Sequence, residues 1–129
     1  MTQRKQRPTI QNFFSNLEES RLSWSWGDTK ADVIVPELTG ALADSKGRNV
    51  FALAGRANNH PTHLLGFAPS GAELFRVGSP PGFTFSYLTH HPLAPIAVVA
   101  RGEAVSDRFP DWHFSISPTG VLKQLAPAY

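Results

Sequence analysis

No cysteine occurs in the 129 residues. Disulfides therefore cannot staple the fold, and no thiol is present to act as nucleophile or metal ligand. Small secreted domains usually carry such staples, so a reducing, cytoplasmic setting is expected. Charge is also scarce: Asp, Glu, Lys and Arg make up 17% of the chain, below the usual share of roughly a quarter. Arg4, Lys5 and Arg7 place three positive charges in the first seven residues, while the remainder holds nine Lys and Arg against ten Asp and Glu. A nearly neutral body disfavours nucleic acid as a partner and leaves residues 1–9 as a flexible basic tail.

Long apolar runs are missing too. Ile96-Ala97-Val98-Val99-Ala100 is far too short to span a bilayer. No apolar run precedes Phe13, so neither a signal peptide nor membrane contact is expected. The sequence has no Gly-x-Ser-x-Gly elbow, no Walker loop and no Gly-x-Gly-x-x-Gly fingerprint. Gly78-Ser79-Pro80-Pro81-Gly82 holds too much proline to form a nucleophile's strand-to-helix turn.

Turn-forming residues are plentiful, with 11 Pro and 10 Gly. One phrase recurs: Pro36-Glu37-Leu38-Thr39-Gly40, Pro69-Ser70-Gly71 and Pro118-Thr119-Gly120, each between apolar stretches. Gly supplies the positive φ of a tight turn and Pro is excluded from central strands, so each phrase predicts a hairpin turn. Leu22, Trp24 and Trp26 alternate with serines, as do Trp112, Phe114 and Ile116 with His113, Ser115 and Ser117. Such alternation predicts half-buried strands, and the unbroken apolar run 96–100 predicts one buried on both faces. Ile10, Phe13, Phe14 and Leu17 fall instead at helical spacing behind Pro8-Thr9, which predicts a short amphipathic helix over about 10–20. The expected fold is mainly β: a twisted antiparallel sheet or two packed sheets, with one N-terminal helix, in a single domain over 10–129.

Two longer units can be aligned. Val50–Ala54, Leu64–Phe67 and Glu73–Val77 form one around Gly71; Ile96–Ala100, Trp112–Ile116 and Val121–Leu125 form the other around Gly120. Strand, loop, strand, turn, strand at this spacing resembles the blade of a β-propeller. Closing a propeller takes about four to eight blades, more than this length provides. The open edges are then expected to be covered by a second sheet, by the helix, or by homo-oligomer contacts through sheet edges.

Among side chains with chemistry, His60, His63, His90, His91 and His113 suit zinc by type, but His60-Pro61-Thr62-His63 lacks the helical His-Glu-x-x-His arrangement. Asp107 and Asp111 flank Arg108 and supply a pair of carboxylates for acid–base work if they approach each other. These residues make a small metal-dependent hydrolase the alternative reading. No catalytic residue, metal or cofactor is assigned.

Residues 83–92, 96–100 and 111–120 resemble small bacterial proteins of the toxin-immunity type. That likeness implies a non-enzymatic, cytoplasmic protein-binding module that covers a toxin's active site. The acidic segment from Glu103 through Asp107 and Arg108 to Asp111, with Trp112 beside it, is the expected partner contact, since local charge steers such encounters.

Overall fold

The computed structural model describes residues 8–103 and 110–128. Among them, eleven strands form three antiparallel sheets. The first holds β1 (Ile10–Asn16), β2 (Arg21–Trp26) and β3 (Thr29–Ile34). The second holds β4 (Leu38–Ala43), β5 (Val50–Ala54), β6 (His63–Phe67) and β7 (Glu73–Gly78). The third holds β8 (Phe83–His91), β9 (Ala94–Gly102), β10 (Asp111–Ile116) and β11 (Leu122–Pro127). Every sheet is a meander in which sequence neighbours are also spatial neighbours, and the sheets do not close into a ring.

The second sheet is the middle layer, and strand alternation explains why. Val50, Ala52, Ala54, Leu65 and Phe67 pack on Leu22, Trp24 and Ala31 of the first sheet. The intervening Phe51, Leu53 and Leu64, with Phe75, pack on Phe85, Ile96, Val98, Ala100, Phe114 and Ile116 of the third. A middle layer needs apolar side chains on both faces, which accounts for the complete burial of β5.

Two of the three predicted turns form as expected. Gly71 and Gly120 take φ of 95° and 88°. In each turn the N–H of the glycine donates to the carbonyl three residues back (Ala68 and Ser117), closing a short hairpin loop with glycine in the left-handed position. Both turns lean on the preceding sheet: a Cβ at Gly71 would lie 3.5 Å from the Ala31 side chain, and one at Gly120 would lie 2.7 Å from the Phe75 ring. Trp24 Nε1 adds a 2.7 Å hydrogen bond to the Pro69 carbonyl.

The third turn corrects the sequence reading. Gly40 lies inside β4, and the chain reverses at Pro36-Glu37, where Glu37 takes φ of 56°. Two extra residues separate Pro from Gly in this phrase, so the reversal is complete before the glycine. The N-terminal helix is also corrected: no helix occurs among the described residues, and 10–16 is strand β1. Asn12, at φ 54°, sits in a bulge between Gln11 and Phe14. The extra residue puts Ile10 and Phe13 on the same core, three apart rather than two. Of the expected tail, residues 1–7 lie outside the described residues.

Asp44 anchors the β4–β5 turn, its carboxylate accepting the backbone N–H groups of Lys46, Arg48 and Asn49 at 2.9–3.1 Å. Removing an acceptor of several backbone amides leaves them to find water, at a cost of about 1–3 kcal/mol. Asp44→Ala is therefore expected to lower the unfolding free energy measured in urea by that amount, with amide exchange accelerated over 45–49.

The first strands of the sheets meet along one side. β4 approaches both β1 and β8. Ile10 N–H donates to the Gly47 carbonyl at 2.7 Å, Ser45 N–H to the Pro95 carbonyl at 2.9 Å, and His90 Nε2 to the Ala43 carbonyl at 2.7 Å. The outer edge strands carry charge or proline: Lys30 and Asp32 on β3, the Glu73–Arg76 ion pair on β7, Lys123 and Pro127 on β11. Such residues discourage strand addition at an open edge.

Candidate functional site

Two regions on or beside the third sheet gather polar side chains. One is the sheet face turned away from the middle layer. On β9, Ile96, Val98 and Ala100 face the core, so Ala97, Val99 and Arg101 lie on the other face. Their cross-strand partners are Ser115, His113 and Asp111 on β10 and Thr89, Tyr87 and Thr84 on β8. Ala97 and Val99 are completely buried, although no other sheet covers them among the described residues; both are small and flanked by larger side chains. Tyr87 remains 54% exposed. Neither Arg101 nor Asp111 joins an ion pair among the described residues. The His91 and His113 rings meet at a tilt of 57°, with centroids 4.7 Å apart. His91 Nδ1 accepts the Leu93 N–H, whereas the buried His113 Nδ1 has no hydrogen-bond partner.

The sequence-predicted contact is divided by this geometry. Asp111 lies on the outer face, opposite Arg101. Glu103 is exposed just beyond β9, where Thr84 Oγ1 donates to its carboxylate at 3.4 Å and its own N–H donates to the Gly82 carbonyl. Trp112 turns the opposite way from Asp111 and packs on the inner core. Asp107 and Arg108 lie outside the described residues. The remaining histidines are dispersed: His60 is in the loop after β5, while His63 Nδ1 shares a 2.9 Å hydrogen bond with Thr62 Oγ1. Among the described residues no three His, Asp or Glu side chains gather in a metal-ligating arrangement.

The second region is a cleft of about 540 Å³ between β4 and β8. Its walls are Thr39, Gly40, Ala41 and Leu53 on the middle sheet and Ser86, Tyr87 and Leu88 on the third, with Arg56, Asn59, His60 and Pro61 at the rim. The rim is a small hairpin. Ala57 and His60 exchange backbone hydrogen bonds of 2.9 Å, and Asn58 and Asn59 both take positive φ (51° and 65°), the signature of a type I′ turn. Gly55, at φ 85°, lets the hairpin leave β5, since a Cβ there would collide with Thr62 Oγ1.

Sequence reading missed this cleft. Its one legible signal was Asn58-Asn59, a pair suited to a two-residue hairpin, set in what otherwise reads as a polar loop. Comparison with known protein families, with curated proteins and with solved structures returns no match.

Proposed function

We propose that this chain is a protein-binding module whose outer third-sheet face docks a partner protein. The observation that carries the reading is the end of the stack. On a face that no sheet covers among the described residues, Tyr87, His91, Arg101, Asp111 and His113 stand around a buried floor of Val99 and Ala97. An exposed Tyr beside Arg is what interface hot spots use: the aromatic supplies contact area and the charges supply register. The stretches that resemble toxin-immunity proteins run along β8, β9 and β10, the strands of this face. The kind of partner is accordingly a toxin enzyme, neutralised in the cytoplasm by a module that covers its active site and performs no catalysis.

The test is calorimetric titration against the products of the genes adjacent to its own, with an activity assay of any toxin among them. One product is expected to bind with Kd below about 10⁻⁷ M and to lose activity on binding. Tyr87→Ala and Arg101→Ala are each expected to weaken the complex by about tenfold or more, equivalent to at least ~1.4 kcal/mol. No binding by any of these products, or full affinity in both variants, overturns the reading.

A further inference from the structure

The cleft between β4 and β8 has the chemistry of an anion site. Arg56 is exposed at its rim and belongs to neither of the ion pairs found among the described residues, Arg21–Asp32 and Arg76–Glu73. Among the described residues no Asp or Glu lines the cleft. A guanidinium with no acid beside it presents its donor fork to whatever enters, and that fork matches a carboxylate or phosphate.

The walls carry a second, independent observation. Both facing strands break register at the cleft: β4 between Leu38 and Gly40, and β8 between Phe85 and Tyr87. The interposed residues, Thr39 and Ser86, both line the cavity. Bulges interrupt a ladder and re-aim side chains, and they concentrate beside binding sites. Thr39 uses its hydroxyl hydrogen on the Leu53 carbonyl at 3.1 Å, which fixes that wall. The hydroxyl of Ser86 remains as a donor on the wall across from Arg56. Leu88 supplies apolar wall for a ligand's body, over the buried Leu53.

We infer that this cleft binds a small organic anion, a carboxylate or phosphate head held by Arg56 and the Ser86 hydroxyl, with its apolar body against Leu88. The volume falls within the range of about 300–1,000 Å³ common to small-molecule sites. The cleft adjoins the docking face at Tyr87, but the inference does not rest on the docking role.

The test is NMR titration of the full chain with three probes: inorganic phosphate, phenyl phosphate and benzoate. Saturable shifts at 39–41, 53, 56 and 86–88 are expected with at least one of the two aromatic anions. A response to phenyl phosphate alone identifies a phosphate ligand, and one to benzoate alone a carboxylate; inorganic phosphate should bind more weakly because it lacks the apolar body. Arg56→Gln is expected to weaken binding by about tenfold or more. Gly40→Leu supplies a steric control. Gly40 pairs with Leu53 on the face toward the third sheet, and a Cβ there meets no atom within 4 Å. That variant should fold and fill the cleft, abolishing the shifts. No saturable shift with any probe up to about 10 mM, or undiminished binding by Arg56→Gln, overturns the inference. If the probes fail while Arg56→Gln weakens a protein complex, the cleft is a socket for a partner's acidic side chain and the small-anion assignment falls.

Discussion

Phe75→Ala is expected to remove about 3–5 kcal/mol of stability, the cost of deleting a large aromatic from a core. Against the total of about 5–15 kcal/mol that holds a domain of this kind, the loss leaves a marginal fold. The ring does three things at once. It lies over Gly66 on the neighbouring strand, where a Cβ would occupy the ring's own space. It packs against Phe51 with centroids 6.1 Å apart. It also abuts the Gly120 turn of the third sheet, so it ties the middle layer to the next hairpin. Gly66→Ala attacks the same contact from the other side and should cost about 1–3 kcal/mol by overpacking. Combining Gly66→Ala with Phe75→Leu should be less damaging than the sum of the two single changes, because the smaller side chain vacates the space the new methyl needs. Urea unfolding of the four chains measures this. Strict additivity, or a Phe75→Ala loss below about 1 kcal/mol, would refute the pinning role.

Trp24→Ala should be nearly as severe at the other interface, again about 3–5 kcal/mol. Trp24 is 2% exposed and packs against Phe13 and Phe67 with centroids 6.5 Å away in both cases. Its indole N–H reaches the Pro69 carbonyl across the sheet boundary. Trp24→Phe keeps most of the apolar contact but removes the donor, and should cost about 1–3 kcal/mol. Unfolding midpoints of the two variants separate packing from hydrogen bonding. Amide exchange over 68–72 should rise in both if the indole holds that turn, and unchanged protection there would contradict the assignment.

The turn chemistry at Gly71 and Gly120 was legible because the sequence names the backbone conformation directly: a glycine is placed where φ must be positive. The strands around those turns followed from alternation. The helix expected at 10–20 fails for a physical reason, since a bulge at Asn12 converts a spacing of two into three, the helical interval. Phe14 and Leu17, also counted into the helical stripe, are 58% and 49% exposed. The three-layer arrangement was not legible either. Alternation assigns a residue to one of two faces but does not mark where a sheet ends. The breaks at 35–37 and 79–82 look like any other turn. The cleft depends on two bulges in strands far apart in sequence, Thr39 and Ser86, brought opposite each other by layer packing alone. Of the predicted contact residues, Asp111 and Glu103 lie near one end of the third sheet. Trp112 packs instead on the inner core, since successive strand residues point to opposite faces.

The meander order has a kinetic consequence. Pairing only with sequence neighbours keeps loop-closure entropy small and favours fast zippering within each sheet. During synthesis the first two sheets are complete before the third emerges, and in that interval Phe51, Leu53, Leu64 and Phe75 lack the third-sheet side chains that cover them. The nascent chain is then most prone to stick to its neighbours. Nascent chains in which β1–β7 have left the exit tunnel, with β8–β11 still inside it, should bind hydrophobic chaperones most strongly, and the released full-length chain should bind them least.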